Sequence, residues 1–231
     1  MMSSSIDALN AQHTTTPAQD IVNLAIRDIF PERIALVSSF GTESAVLLHM
    51  VARADRTTPV LFLDTLKHFD ETLAYRDRLV ARLRLENVRT VQPAASDIVA
   101  TDADGMLWSS DPDACCRVRK TRPLEREIMR FRALFTGRKR HHGAARSVLQ
   151  PFEADGPRIK VNPLVHWDNA DVSAYLDRYG LPRHPLADKG YPSVGCAVCT
   201  SRVQPGEDFR AGRWRGTGKV ECGIHKMLRP D

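Results

Sequence analysis

The chain has 231 residues, of which 42% are hydrophobic and 26% are charged, and its formal net charge is +5 at pH 7. This length suits one large α/β domain, or a domain with a tail. The positive charge favours an anionic partner, but no run of Lys and Arg is long enough to form a nucleic-acid-binding arm. No segment approaches the roughly 20 apolar residues that a helix needs to cross a bilayer. We therefore expect neither a nucleic acid nor a membrane as a partner.

The N-terminal segment is rich in Ser and Thr and carries no Lys or Arg over residues 1–16. It has neither the apolar centre of a signal peptide nor the basic character of a transit peptide. We therefore expect a disordered lead-in over 1–16 and a cytoplasmic location.

Helical and strand-like patterns alternate after this segment. Thr16-Pro17 is a good start for a first helix, which extends to Ile29. In chain order there follow a strand at 34–37, a helix at 45–54, a strand at 60–63, a helix at 69–85, a strand at 88–91, a helix at 125–131, strands at 133–135 and 159–161, and a helix at 168–179. This order predicts an α/β fold with a parallel sheet flanked by helices over residues 17–205. Residues 206–231 are predicted to form a mobile, loop-rich C-terminal tail.

The segment between the first strand and the next helix has the composition of an anion-binding turn. Its residues are Ser38, Ser39, Phe40, Gly41, Thr42, Glu43 and Ser44. In such a turn the backbone N–H groups point at one spot, where the helix dipole favours negative charge. Asp64 and Thr65 follow the second strand, so they are predicted to lie at the same edge of the sheet.

This turn lacks the Gly-Lys-Ser/Thr of a Walker A loop. It resembles the PP-loop of the adenine-nucleotide α-hydrolase-like superfamily, whose ATP-cleaving members usually read Ser-Gly-Gly-x-Asp-Ser. Phe40 occupies one of the glycine positions. The resemblance is therefore to the reductase branch, which binds a sulfonucleotide and does not cleave ATP.

The five cysteines fall into two pairs and one lone thiol: Cys115 with Cys116, Cys196 with Cys199, and Cys222. An odd number in a cytosolic setting argues against a disulfide framework. Side chains of adjacent residues diverge on a helix or strand, so the first pair can bind one centre only if the backbone bends or the centre is large. Four thiolates suit a [4Fe-4S] cluster and also a structural zinc site, and the residues leave both open.

In combination these motifs resemble those of the assimilatory adenylylsulfate (APS) reductases, the iron–sulfur branch of the APS/PAPS reductase family. The resemblance extends from about residue 21 to residue 225. Its motifs follow in order at 38–44, 62–65 with 71–76, 115–120, 136–138, 162–164, 190–199, 206–214 and 221–225.

The resemblance implies a fold, a reaction and a set of functional residues. The fold is that of the PP-loop superfamily, and the reaction is the reduction of APS to sulfite and AMP in sulfate assimilation and cysteine biosynthesis. Cys222 would attack the sulfate sulfur and form an S-sulfocysteine, from which thioredoxin or a glutaredoxin-like dithiol would release sulfite. Cys115, Cys116, Cys196 and Cys199 would hold a [4Fe-4S] cluster. The implied substrate-binding residues are the turn 38–44, Asp64, Thr65, Lys120, Arg138, Arg146, Arg210, Arg213 and His225. Members of the family often form homo-oligomers.

The residues near Cys222 suit this implied chemistry. The thiolate is the nucleophilic form of cysteine, and basic neighbours lower the pKa of a thiol. The planar fork of arginine pairs with two oxygens of a sulfate or phosphate. Attack at sulfur and thiol exchange are both two-electron steps. We therefore expect a cluster to act electrostatically, through Lys120, and not as an electron carrier.

Two positions depart from the family pattern. After Thr136-Gly-Arg138 the family usually continues with a basic residue, Asp-Gln-Ser and a later Arg, whereas this chain has Lys-Arg-His-His-Gly at 139–143. We align Arg146 with the later Arg, and we expect His141 and His142 to lie at the surface. Leu66 stands where a Gly is common.

Three other functions fit part of the sequence. The first is a PAPS reductase or a dual-specificity enzyme, although PAPS reductases generally lack the two cysteine pairs. The second is a tRNA thiolation enzyme of the ATP-cleaving branch, which the absent second glycine of the turn disfavours. The third is a zinc- or cluster-bearing regulatory module, which the nucleotide-binding motifs disfavour.

Overall fold

The computed structural model describes residues 2–143 and 146–225, with the side chains of 2–5 and 225 excepted. Its strands are β1 Ile34–Ser38, β2 Val60–Leu63, β3 Val88–Val91, β4 Ala133–Phe135, β5 Phe152–Asp155 and β6 Arg158–Val161. Its α-helices are α1 Met2–His13, α2 Ala18–Leu24, α3 Ser44–Ala54, α4 Asp70–Leu83, α5 Ala95–Thr101, α6 Leu107–Ser110, α7 Pro112–Cys116, α8 Arg122–Glu127 and α9 Asn169–Arg178. No helix in this part of the chain is both long and apolar enough to cross a membrane.

The six strands form one sheet in the order β3-β2-β1-β4-β6-β5. Every neighbouring pair is parallel except β5 and β6, which are antiparallel. The predicted parallel sheet flanked by helices is therefore confirmed, and the five predicted strands are present within one residue of their expected bounds. Strand β5 was not predicted, because it is a short edge strand whose Glu153 and Asp155 interrupt any apolar run.

The sheet has an apolar core on each face, which explains why its central strands are continuously apolar. Successive side chains of a strand point to opposite faces. Leu36 and Phe62 accordingly belong to the larger core, with α2, α3 and α9, whereas Ala35 and Leu61 belong to the smaller core beneath α8. Burial on both faces is the normal environment of a parallel sheet.

The N-terminal helix α1 differs from the disordered lead-in that the sequence predicts. Ile6 is 5% exposed and belongs to the larger core. The side chain of Asn10 accepts a hydrogen bond from Phe152 N and donates one to Phe152 O, both at 2.9 Å. Asn10 thus satisfies backbone groups of the edge strand β5. This partner lies 142 residues away in sequence, so no local pattern reports it.

The first cysteine pair lies at the end of a short, irregular helix. The Asp111 carboxylate caps α7 by accepting from the N–H groups of Asp113 and Ala114. After Cys116 the helix widens into a π-helical turn, Arg117–Thr121. Pro123 follows directly, and proline cannot donate the next backbone hydrogen bond of a regular helix. The backbone therefore departs from a regular helix next to the adjacent cysteines.

A buried ion pair anchors this helix to the sheet. Arg119 and Asp102 lie 2.5 Å apart, with side chains that are 6% and 0% exposed. The guanidinium of Arg119 also donates to the carbonyl oxygen of Thr65, at 3.0 Å, just beyond the end of β2. The cysteine helix is thereby joined to the carboxyl edge of the sheet.

We predict that Asp102→Ala lowers the free energy of unfolding by about 3–5 kcal/mol, because it leaves the Arg119 guanidinium buried without a counter-charge. Urea denaturation measures this change. The matched control is Asp97→Ala, which removes an ion pair with Arg126 whose side chains are 22% and 57% exposed. For such an exposed pair the expected change is less than about 1 kcal/mol. Equal effects of the two substitutions would contradict an anchoring role for Asp102.

Candidate active site

A cavity opens at the carboxyl ends of β1 and β4, and the predicted anion-binding turn forms one of its walls. Ser38, Ser39, Gly41, Thr42, Glu43 and Ser44 line it. Phe40 does not, because its ring points into the core and packs edge-on against Phe62, with ring centroids 5.5 Å apart. The turn thus offers backbone and hydroxyl groups to the cavity, and α3 begins directly behind them.

The conformation of this turn explains two of its residues. Phe40 has a φ of +50°, a left-handed conformation that glycine adopts without strain. Burial of the Phe40 ring offsets the cost of that conformation. Gly41 is required by a close approach, since a Cβ there would lie 3.0 Å from the carbonyl oxygen of Val194. Thr42 donates to the carbonyl oxygen of Pro192 at 2.6 Å, so the turn holds the segment that leads to Cys196.

Positive charge dominates the described part of the cavity wall. Seven cationic side chains line it against three carboxylates, those of Glu43, Asp155 and Glu221. The cationic residues are Lys120, Arg138, Lys139, Arg146, Lys160, Arg210 and Arg213. The five cations that the sequence predicts as substrate ligands are all among them. An excess of buried cations is an electrostatic environment that favours an anionic ligand.

Several of these cations are held by carboxylates. Arg146 makes two hydrogen bonds to Glu221, at 2.7 and 2.8 Å, and Arg138 pairs with Glu153. Burial lowers the pKa of Arg210 to about 10, and the nearby charges of Arg146 and Arg213 add to that effect. Pairing with carboxylates limits the cost of burying these charges together.

Arg213 differs from the other arginines in its surroundings. Its guanidinium lies over the Trp214 ring, 4.5 Å from the ring centroid, and its buried Nε has no hydrogen-bond partner among the described residues. Gly195 makes room for it, since a Cβ on Gly195 would overlap with the guanidinium. The position of Arg213 therefore depends on the absence of a side chain at residue 195.

Asp64 and Thr65 follow β2, as predicted, but they are not among the residues that line the cavity. The Asp64 carboxylate accepts from the backbone N–H of Leu66 at 3.0 Å and from the amide of Gln92 at 2.8 Å. The Thr65 hydroxyl lies 3.2 Å from the sulfur of Cys196 and is fully buried. Thr65 therefore faces a predicted metal ligand.

The structure brings the two cysteine pairs close to one another. Burial raises the pKa of Cys115 to about 11, and the neighbouring thiols of Cys196 and Cys199 add to that rise. Burial also raises the pKa of Cys199, and Cys196 adds to the rise. A set of buried thiols that disfavour one another's ionisation needs a cation to hold it in the thiolate form. The donor set thus has the chemistry of a site for a metal or an iron–sulfur cluster.

No group of three or more His, Cys, Asp or Glu side chains in the described residues converges as a site for a metal ion. In a zinc site all four sulfurs lie about 2.3 Å from one atom. In a [4Fe-4S] cluster the cysteines do not share one metal atom. A zinc site therefore requires that the four sulfurs converge on one point, whereas a cluster does not.

Cys222 lies beside the cysteine helix and lines the cavity. Gly223 packs on that helix, since a Cβ there would lie 3.2 Å from Thr121 Oγ1 and 3.7 Å from Cys116 Cβ. A hydrogen bond from the Cys116 thiol, the nearby ammonium of Lys120 and a hydrogen bond from the Ile224 N–H hold the pKa of Cys222 well below its usual range. Burial alone lowers the pKa of Lys120, but the charges of Cys196, Cys222 and Cys116 outweigh it and raise that pKa. The Lys120 ammonium thus favours the thiolate form of Cys222.

Lys139, His142 and Glu221 are among the cavity residues that the sequence did not predict. The Lys139 side chain is 1% exposed and donates to the Glu43 carboxylate at 2.9 Å. His142 was predicted to lie at the surface, which is wrong, because its side chain is 4% exposed and lines the cavity. Its neighbour His141 is exposed, as predicted. Glu221, which binds Arg146, precedes the predicted nucleophile directly. The predicted ligand His225 has its side chain outside the described residues.

A family model and curated relatives agree on what this chain is similar to. Residues 33–202 match the model described as the phosphoadenosine phosphosulfate reductase domain. A protein of Mesorhizobium japonicum named adenosine 5'-phosphosulfate reductase is 52% identical over 89% of this chain and 81% of its own. One of the same name from Chelativorans sp. is 49% identical over 94% and 89%. A protein of Gloeobacter violaceus named phosphoadenosine 5'-phosphosulfate reductase is 36% identical over 95% of each chain.

Solved structures share the fold. The phosphoadenylyl-sulfate (PAPS) reductase of Candida auris, in a phosphate complex, superposes with a TM-score of 0.70 at 27% identity, over 86% of this chain and 96% of its own. The FMN adenylyltransferase of Candida glabrata has a TM-score of 0.58 at 17% identity, over 85% and 67%, and this likeness concerns the fold alone.

We predict that Gly195→Ala displaces Arg213 and weakens the binding of an anionic nucleotide, with AMP as the probe, by about 10- to 100-fold, the effect expected of losing a charged hydrogen bond. Equilibrium titration measures this change. The matched control is Gly218→Ala, since a Cβ there would meet no atom within 4 Å. Equal affinities of the two variants would show that Arg213 does not bind the ligand.

The matched family model covers more than half of the chain, relatives at 49–52% identity extend over most of it, and the six-stranded sheet agrees with a solved member. The chain therefore belongs to the phosphoadenosine phosphosulfate reductase family.

Proposed function

We propose that this protein reduces APS to sulfite and AMP with electrons from a dithiol, in sulfate assimilation and cysteine biosynthesis. The observation that carries the proposal is the position of Cys222, whose thiol lines a cation-rich cavity next to the Lys120 ammonium. The names of the two relatives at 49–52% identity support APS as the substrate.

The cavity suits a ligand with an anionic end and a planar apolar end. APS carries a phosphate and a sulfate, and the cations described above, with Arg210 and Arg213 nearest to Cys222 in sequence, would neutralise them. The wall also has an apolar part, which includes Val37, Leu63 and Leu134. An adenine ring placed there would bury its faces without leaving a charge unpaired.

The first chemical step is a displacement at sulfur. The Cys222 thiolate would attack the sulfate sulfur, an S–S bond would form, and the S–O bond to the phosphate would break with its electron pair leaving on AMP. Charge then develops on the departing phosphate oxygen. Cations fixed in advance near that oxygen stabilise the transition state without reorganising. The product on the enzyme is an S-sulfocysteine.

The second step is thiol exchange. One thiolate of the reductant would attack the Cys222 sulfur and release sulfite with the electron pair of the S–S bond. The second thiol of the reductant would then resolve the mixed disulfide, so the dithiol is oxidised by two electrons. Thioredoxin or a glutaredoxin-like protein is the reductant that we propose. The described residues around Cys222, 206–225, contain no α-helix or strand, which suits access by a bulky partner.

A [4Fe-4S] cluster would be held by the four buried or half-buried cysteines Cys115, Cys116, Cys196 and Cys199. The fit rests on their mutual proximity and on the Thr65 hydroxyl, which lies 3.2 Å from Cys196. When bound, the cluster would supply a fixed charge that orients Lys120 towards the sulfate. We place the enzyme in the cytoplasm, where thiols stay reduced, and homo-oligomerisation remains an expectation from the family.

We predict that anaerobic protein mixed with APS, without a reductant, gains one sulfo group on the peptide that contains Cys222, with release of an equal amount of AMP. Peptide mass spectrometry and nucleotide chromatography measure both. A Cys222→Ser variant is the control, and it should keep the iron content while losing the adduct. If the cluster-loaded protein gives no adduct, the proposed function fails. A parallel sample with PAPS compares the two substrates.

We predict that Lys120→Gln lowers the rate of adduct formation by about 100-fold or more, because it removes a preorganised charge from the reacting sulfate. Iron content and the visible spectrum establish that the variant is loaded. Arg117→Gln is the matched control, since Arg117 lies on the same π-helical turn but is exposed. An unchanged rate in a loaded Lys120→Gln variant would refute the electrostatic role of this residue.

A further inference from the structure

Three buried polar atoms of the cavity wall have no hydrogen-bond partner among the described residues. One is Arg213 Nε, described above, and the other two are Glu43 Oε1 and His142 Nε2, on side chains that lie next to each other. His142 Nε2 lies 3.3 Å from the other carboxylate oxygen of Glu43, but it makes no hydrogen bond to it. Unpaired buried polar atoms are costly and therefore uncommon in folded proteins. Both residues line the same cavity, so a ligand can satisfy both atoms.

The neighbours of the His142 ring determine which of its nitrogens carries hydrogen. Arg146 Nη1 lies 3.2 Å from His142 Nδ1. Arginine only donates, so Nδ1 accepts, and in the neutral ring Nε2 is the N–H donor. Burial lowers the pKa of His142 to about 2, and the cations Lys139 and Arg146 add to the effect, which agrees with a neutral ring. His142 Nε2 is thus an unsatisfied donor.

Contacts on every side hold the two residues in place. The Glu43 carboxylate is bound through Oε2 by Lys139, at 2.9 Å, which leaves Oε1 as the unsatisfied acceptor. The His142 ring stacks on Phe209, with ring centroids 5.5 Å apart and an angle of 11° between the planes. Neither side chain can rotate freely to find water or another partner. The pair therefore presents one donor and one acceptor to the cavity at fixed positions.

We propose that Glu43 and His142 bind the ribose hydroxyls of the nucleotide and select for a ribose without a 3'-phosphate. This inference rests on the proposed function and assigns part of its substrate selectivity. A hydroxyl is the group that donates to Glu43 Oε1 and accepts from His142 Nε2–H. A phosphate only accepts at neutral pH and would face the Glu43 carboxylate without a proton to share.

The location of the pair within the cavity favours the ribose over the base. His142 contacts Arg146, Arg146 binds Glu221, and the backbone N–H of Cys222 donates to Glu221 at 2.9 Å. The pair therefore belongs to the charged part of the wall, near the predicted nucleophile. The apolar part, which suits adenine, is formed by other residues.

The first test compares the binding of AMP, 2'-deoxy-AMP and 3'-deoxy-AMP to the cluster-loaded protein by calorimetry. A site built around hydroxyls rejects analogues that lack them, because its polar groups are left unpaired. We expect the loss of one hydroxyl to weaken binding by about 10- to 100-fold. His142→Phe keeps a ring stacked on Phe209 but has no N–H. In this variant the ratio of the dissociation constants of a deoxy analogue and AMP should fall below about threefold. The control is His166→Phe, at an exposed position outside the cavity wall, which should keep the wild-type ratio.

The second test compares kcat/KM for APS and PAPS. Glu43→Gln removes the carboxylate and leaves the Lys139 ammonium free to receive a 3'-phosphate. We expect the kcat/KM ratio of PAPS to APS to rise by about tenfold, the scale of a modest charge–charge term. Circular dichroism and iron content establish that the variant is folded and loaded with the cluster. If Glu43→Gln does not fold or does not bind the cluster, His142→Phe provides an independent variant.

These outcomes separate the inference from the function on which it rests. If wild-type protein forms the Cys222 adduct with APS but binds AMP and both deoxy analogues equally, the inference fails and the function stands. Inosine monophosphate differs from AMP only in its base. If His142→Phe no longer distinguishes AMP from inosine monophosphate but still distinguishes AMP from the deoxy analogues, the pair binds the base and the inference also fails. If no adduct forms, the proposed function fails, whatever the binding of AMP.

Discussion

The cavity depends on positive charge that the fold has to bury before any ligand arrives. Cations from the cysteine helix, the loop after β4 and the C-terminal segment face one space, and most are held by nearby carboxylates. Taking such groups out of water is expensive unless each is paired. Glu43, Asp155 and Glu221 of the wall supply this pairing together with Glu153, and they leave an excess of positive charge at the place where a sulfonucleotide would bring two negative ones. The same network of ion pairs therefore stabilises the fold and prepares the cavity for an anionic ligand.

The sheet brings distant parts of the chain to that network. The anion-binding turn follows β1, Thr65 follows β2, and Arg138 follows β4, so parallel strands deliver all three to one edge. Thr42 then holds Pro192 and Arg119 holds Thr65, which brings both cysteine pairs to the same edge. The site for a cluster and the site for an anion are thus held in place by the same strand ends and hydrogen bonds. A change in one site is therefore expected to affect the other.

The C-terminal segment completes the cavity and is not only an appendage of the domain. Trp214 is 4% exposed and carries the Arg213 guanidinium on its face, and Glu221 binds Arg146 across 75 residues of sequence. These contacts place Cys222 against the cysteine helix. Because the described part of this segment, residues 206–225, has no α-helix or strand, its contacts consist of side chains and turns. Such contacts are individually weak, which suits the proposed access of both a nucleotide and a protein reductant.

Local patterns in the sequence predict the α/β class, five of the six strands, the anion-binding turn and the partition of the cysteines. Apolar runs report burial, and glycine with hydroxyl residues reports a turn. Only the tertiary structure showed that α1 packs through Asn10 on an edge strand, that Phe40 points away from the cavity, and that His142 is buried in its wall. Those features depend on partners far away in sequence, and a histidine between basic residues has the same local pattern whether it faces water or Glu43. The physical reason is that burial of a polar residue depends on what surrounds it in space, to which residues from every part of the chain contribute.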